Sequence, residues 1–184
     1  MGVRLFVAVY PSEAARTDLA AALAGLSLRG RAVRAAQWHL TLAFLADVPD
    51  ARLPAVRSAV EQTAAEVPPF TVRLGGAGAF GQVAWVGVGG DTGSLAALAE
   101  GVRGRLRDGG FPVDTRPFRP HLTIARGVPA RRPEVSAALA ELANHTGPPW
   151  TVRQLVLVQS TLGPGGARHE PVAAAELGPT GHQA

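Results

Sequence analysis

Trp38-His39-Leu40-Thr41-Leu42-Ala43-Phe44-Leu45 decides how this chain is read, because its centre returns 82 residues later as His121-Leu122-Thr123-Ile124-Ala125-Arg126. Both stretches are short, aliphatic and alternating, the pattern of a half-buried strand. Side chains alternate across a strand, so His and Thr two residues apart share a face while the Leu between them turns inward. Each copy therefore offers an imidazole and a hydroxyl side by side. One such pair is ordinarily structural. A second in the same frame has no packing reason to exist.

The landmarks around the two copies keep step. Pro68-Pro69-Phe70-Thr71-Val72-Arg73 and Pro148-Pro149-Trp150-Thr151-Val152-Arg153 differ only in their aromatic residue, and they begin 29 and 27 residues after the respective histidines. Phe6-Val7-Ala8-Val9 and Trp85-Val86-Gly87-Val88 precede those histidines by 33 and 36 residues.

Between the landmarks, the pattern gives a strand over 3–10 and a helix from an N-cap at Ser12 to Leu23. A loop over 25–37 leads to the first His-Thr strand, 38–45. A helix beginning near Asp50 follows, with Leu53, Val56 and Val60 on one face, and Pro68-Pro69 stops it. Next come a strand over 70–74 and a glycine-rich loop over 75–81. The order then repeats: strand 83–88, helix 94–106, loop 108–120, strand 121–126, helix 133–143 and a strand opening at Trp150. Two further strands are expected at 155–158 and 172–177. The expected class is α+β, with two pseudo-symmetric lobes, each a sheet backed by helices. No linker separates them, so residues 1–177 read as one domain and 178–184 as a flexible tail.

A hydrophobic content of 47% with 17% charged residues marks a globular chain. All 18 basic residues are Arg, which reflects either a coding bias or a polyanionic partner. The net charge of +4 and pI near 11.1 favour the second, since Arg forks match phosphate oxygens; RNA is the mild preference. There is no cysteine, which removes disulfides, thiolate chemistry and Cys-based zinc sites and suits a reducing compartment. Leu5-Phe6-Val7-Ala8-Val9 is too short for a signal-peptide core, and no apolar run reaches the roughly 18 residues that cross a bilayer. A cytoplasmic protein without membrane contact is the expectation.

Two imidazoles facing each other across a cleft can serve as general base and general acid together, because an unperturbed pKa of about 6.5 lets one be neutral and the other charged near neutrality. The Thr hydroxyls can donate to the non-bridging oxygens of a phosphate. Two histidines could instead hold a metal. Neither motif, however, brings an Asp, Glu or Cys at ligand spacing, and three protein ligands are the norm. No metal and no cofactor are therefore expected. Arg29, Arg31 and Arg34 either contact RNA phosphates or sit solvated in their loop. His145 and His182 read as solvated, and Trp38 and Phe44 as core rather than base-stacking platforms.

The two His-Thr stretches, with Phe118-Arg119-Pro120 leading into the second, resemble the paired signatures of the 2H phosphoesterases. Within them the chain is similar to the LigT/ThpR branch, the RNA 2',3'-cyclic phosphodiesterases once called 2'-5' RNA ligases. Arg4-Leu5-Phe6-Val7-Ala8, Gly78-Ala79-Phe80 and Leu155-Val156-Leu157-Val158-Gln159-Ser160 extend the resemblance over nearly the whole chain.

It implies a LigT-like bilobal fold with two antiparallel-sheet lobes and the active-site cleft between them. It also implies metal-independent opening of an RNA 2',3'-cyclic phosphate to a 2'-phosphate, with 2'-5' ligation as the reverse, by a monomer acting on RNA ends. By the same resemblance His39 is the proton donor, His121 the proton acceptor, and Thr41, Thr123 and Arg126 bind the phosphate. Strict alternation would turn Arg126 away from His121, so its role requires the strand to end or twist there. Arg119 and His169 are candidate RNA contacts.

Three departures bear on substrate fit. Ala46 stands where the family commonly has Gly in what reads as a turn, the 80–83 connection is short, and His169 stands where Tyr is usual. Two alternatives stay open: a phosphodiesterase for a small cyclic nucleotide or ADP-ribose cyclic phosphate, and a non-catalytic RNA-binding module.

Overall fold

In a computed structural model that describes residues 2–178, the two copies of the His-Thr motif lie side by side at the centre of one curled sheet. Its strands are β1 (Gly2–Val9), β2 (Arg31–Ala32), β3 (Leu40–Pro49), β4 (Phe70–Phe80), β5 (Val83–Gly90), β6 (His121–Arg126), β7 (Trp150–Val152), β8 (Gln154–Gly163) and β9 (Gly166–Glu176). The spatial order is β7-β4-β5-β6-β3-β1-β8-β9, with β2 on the edge of β6. Every pairing is antiparallel.

The order exposes an exchange that the sequence repeat does not show. β4 follows the first motif in the chain but pairs with β5 of the second half. β8 follows the second motif but pairs with β1 of the first. Each half-sheet is thus assembled from both copies. Equivalent residues meet face to face at two places. Leu40 pairs with Leu122 where the half-sheets join. The repeated hexapeptides pair with each other, Thr71 opposite Thr151 and Phe70 opposite Val152.

Four long helices cover the outer face: α1 (Glu13–Leu23), α2 (Leu53–Glu66), α3 (Thr92–Asp108) and α4 (Pro133–Ala143). Ser12 caps α1 as its sequence position predicts, its hydroxyl accepting from the Ala15 amide at 3.1 Å. α3 begins two residues earlier than periodicity suggests, because the Asp91 carboxylate accepts from the Ser94 amide at 2.9 Å. Leu95, Leu98, Val102 and Leu106 recur every three or four residues along it and are fully buried. The helices and the outer sheet face share one large core. A smaller apolar cluster of Phe6, Ala8, Val156 and Val158 lies on the inner face, with Tyr10 against it.

Several expectations are corrected. Residues 75–80 are strand rather than loop. Gly78 among them admits the indole of Trp85: a Cβ there would stand 2.6 Å from its Cζ2. β3 continues to Pro49, so Ala46 is an exposed strand residue and not part of a turn. Residues 154–163 and 166–176 form one long hairpin in place of two short strands. Loop 25–37 contains β2 and a 3-10 turn at Ala35–Gln37. Phe44 is 40% exposed and not core, whereas Trp38 is buried as expected. The tail lies outside the described residues apart from Gly178, whose amide donates to the Ala64 carbonyl at 3.1 Å, and His182 lies outside them too.

Candidate active site

The register of each motif strand explains how three functional positions come to share a face. β1 pairs Val7 with Ala43 and Ala8 with Thr41, leaving Leu42 as an extra residue on β3. β5 pairs Ala84 with Ala125 and Trp85 with Thr123, leaving Ile124 extra on β6. These are the same β-bulge in both copies, and a bulge resets alternation by one residue. Ile124 and Ala125 are consequently both buried, and Arg126 returns to the face of His121 and Thr123. The twist that Arg126 needed is this bulge. In the first copy the same reset turns Phe44 outward.

The bulge in β3 is held from outside the sheet. Arg103 of α3 is 9% exposed and donates from Nε to the Leu42 carbonyl at 2.7 Å. Its Nη1 donates to the Arg116 carbonyl at 3.0 Å, and its guanidinium lies 5.2 Å from the centre of the Phe118 ring. One buried side chain therefore ties the first motif to the loop that delivers the second.

His39, Thr41, His121, Thr123 and Arg126 line one cleft of about 370 Å³ with Arg31, Arg34, Gln37 and His169. Its far wall is loop 25–37, which crosses β6: Arg31 pairs with Arg126, and the Val33 amide donates to the Ile124 carbonyl at 2.8 Å. Gly30 is required at that crossing, since a Cβ there would stand 2.7 Å from the Arg126 carbonyl. Three arginines thus border a site whose lining, among the described residues, includes no carboxylate.

The two histidines are oriented alike. His39 Nδ1 lies 2.7 Å from the Gln37 carbonyl and His121 Nδ1 lies 2.7 Å from the Arg119 carbonyl, both two residues back. A carbonyl only accepts, so each Nδ1 carries a proton and donates it. Nε2 is left on each ring for proton transfer.

Their surroundings differ. His39 stacks on Phe6 with centroids 4.6 Å apart, meets His169 edge-on at 5.5 Å and has Tyr10 at 5.9 Å. His121 has the edge of Phe80 at 5.3 Å. Burial pushes the His39 pKa down to about 4, aided by repulsion from His169, Arg126 and His121 and opposed by the Gln37 carbonyl. The free site therefore holds a neutral His39 at pH 7. Burial lowers the His169 pKa as well, with Arg126 contributing.

All the expected catalytic and phosphate-binding residues come together, and His169 joins them. Arg31 and Arg34, suggested as phosphate contacts, also reach the cleft. Arg119 contributes its carbonyl, and its side chain is absent from the lining. Arg29 lies 4.0 Å from Glu134 instead. His145 is not merely solvated: its Nε2 is 2.7 Å from Asp18 of α1. Gln37 and Arg103 were missed by sequence reasoning. The first acts through its carbonyl, which carries no residue signal, and the second sits on a helix far from either motif. Among the described residues no three His, Asp or Glu side chains converge to hold a metal. No helix among them is long and apolar enough to cross a membrane.

The profile of the 2'-5' RNA ligase superfamily matches residues 10–164. An Archaeoglobus fulgidus protein named RNA 2',3'-cyclic phosphodiesterase is 33% identical over 171 residues, covering 89% of this chain and 94% of that protein. A Geobacillus stearothermophilus protein of the same name is 37% identical over 110 residues, 57% of this chain, and the match spans only 35% of that protein's length. Among solved structures, E. coli LigT complexed with 3'-AMP superimposes with a TM-score of 0.81 at 26% identity, covering 96% of this chain and 99% of that one.

Proposed function

The chain belongs to the 2'-5' RNA ligase superfamily, and from that premise we propose that it opens the 2',3'-cyclic phosphate at RNA ends to a 2'-phosphate. The observation that carries the reading is the pair of oppositely derived, identically oriented imidazoles in one arginine-bordered cleft. His121 Nε2 takes a proton from water as the water oxygen bonds to phosphorus. The bond from phosphorus to the 3' oxygen breaks, and His39 Nε2 gives that oxygen its proton. Thr41, Thr123 and Arg126 hold the non-bridging oxygens, whose charge grows as the five-coordinate state forms.

The low pKa of His39 in the free site fits a donor that is armed by its substrate. A phosphodiester anion offsets the repulsion from Arg126 and draws a proton onto His39. The same steps with a 5' hydroxyl in place of water would leave a 2'-5' phosphodiester and a free 3' hydroxyl, which is ligation; their reversal re-forms the cyclic phosphate. Both halves of the site come from one chain, which supports a working monomer, and RNA ends as substrate suit the cytoplasm.

Phosphorus NMR of 2',3'-cyclic nucleotides and of short RNAs ending in a cyclic phosphate, with EDTA present, tests the reaction. A 2'-monophosphate is the expected product. Inhibition by EDTA would return a metal to the mechanism. Turnover confined to mononucleotides would favour a small-molecule enzyme, and none at all a binding module. His39→Ala and His121→Ala should each lower kcat/KM by roughly 10²- to 10⁴-fold. The alkaline limb of kcat should lie at higher pH than that of kcat/KM, because only the complex charges His39.

A further inference from the structure

A second cavity, of about 810 Å³, lies beside the catalytic cleft. The two share Arg34, Gln37, the 165–167 segment and His169 as a common wall. Across that wall the Gln37 side chain donates to the Ala167 carbonyl at 2.9 Å. Beyond it lie Tyr10, Arg16 and Arg168. Among the described residues the lining holds three arginines and no carboxylate. Arg168 is bonded to Glu170 at 2.8 Å, while among the described residues neither Arg16 nor Arg34 is within ion-pair distance of an acid. Such a groove is built for an anion with an aromatic part.

We propose that this groove binds the nucleotide on the 5' side of the cyclic end, its phosphodiester on Arg16 and Arg168 and its base against the ring of Tyr10. The inference rests on the cyclic phosphodiesterase reading and adds the path of the strand. In an in-line opening, the water and the departing 3' oxygen lie on opposite sides of phosphorus. His39 serves the departing oxygen, so the ribose and the chain attached to its 5' carbon lie on the His39 side. Tyr10 and His169 are the two rings that flank His39 and also line the groove. On the His121 side stand Phe80 and Trp85, which line neither cavity. The strand therefore leaves by the groove.

The test compares adenosine 2',3'-cyclic phosphate with the adenine dinucleotide ending in the same group, using the whole protein and the R16Q/R168Q double variant. Neither arginine lines the catalytic cleft. The native protein should show a kcat/KM at least about tenfold higher for the dinucleotide, and the variant should lose that advantage with mononucleotide turnover unchanged. Calorimetry with the corresponding 2'-phosphate products reads the groove without turnover. There the variant should weaken the dinucleotide by about tenfold and leave 2'-AMP alone. Equal rates and affinities for the two lengths, or an advantage that survives in the variant, overturn the groove. A binding difference without hydrolysis of either substrate removes the cyclic phosphodiesterase reading and leaves the groove standing.

Discussion

At the scale of single residues, His39 and His121 are the same group in the same local frame with different solvation. Each rests its Nδ1 proton on a carbonyl two residues back. Only His39 is roofed by Phe6 and flanked by His169, and burial holds its pKa near 4. This has a consequence for stability. In the unfolded chain the ring titrates at about 6.5, so between that value and 4 the unfolded state binds more protons than the folded one. Stability is fully present above about pH 6.5 and is lost as pH falls toward 4, by on the order of 3 kcal/mol at most for this group. The lowered pKa of His169 acts in the same direction. The urea midpoint of His39→Gln should therefore fall less between pH 7 and pH 4 than that of the native protein. Parallel curves would show that His39 is not held neutral. The identity of this residue was legible in the sequence. Its low pKa was not, because Phe6 and His169 approach it from strands far away in the chain.

At the scale of elements, the β-bulge does the work that plain alternation cannot. It brings Arg126 onto the face of His121, and in β3 its extra residue is Leu42, whose carbonyl Arg103 bonds from α3. Replacing Arg103 with Met keeps much of the volume and removes the donors, leaving the Leu42 and Arg116 carbonyls without that partner. Leu42 is buried, so its orphaned carbonyl costs about 1–3 kcal/mol, whereas exposed Arg116 can turn its carbonyl to water; the loss is read as a lower urea midpoint at unchanged slope. Because the same side chain anchors the loop before His121, kcat should fall more than KM rises. Activity that stayed native in a destabilised variant would make Arg103 a stability residue only. Nothing in the spacing of α3 distinguishes Arg103 from its neighbours Arg105 and Arg107. Its role is visible only once β3 lies against the helix.

At the scale of the whole molecule, the exchange of β4 and β8 makes the halves inseparable. Residues 1–82 alone keep the β1–β3 pair but lose β8 from one side of β1, and β4 is left without β5 and β7. That fragment should show no cooperative melt by circular dichroism, and neither should 83–184, while refolding the two together should restore the native spectrum. A cooperative transition for 1–82 alone would show that each copy is a folding unit. The strand registers also displace one landmark: Ala8 stands opposite Thr41 and Trp85 opposite Thr123, so matching Phe6 with Trp85 by sequence is off by two residues.

By itself the sequence determined the repeat, the helix faces, the order of elements and the two His-Thr pairs. All of these are properties of residues near one another in the chain, where alternation and caps leave a direct pattern. Only the tertiary structure decided which strands pair, where the bulges fall, and which histidine is the more enclosed. A two-residue shift preserves alternation and a backbone carbonyl is the same in every residue, so these features leave no mark on the pattern. They arise where segments distant in sequence come into contact, and at this site those contacts give two identically oriented histidines different surroundings.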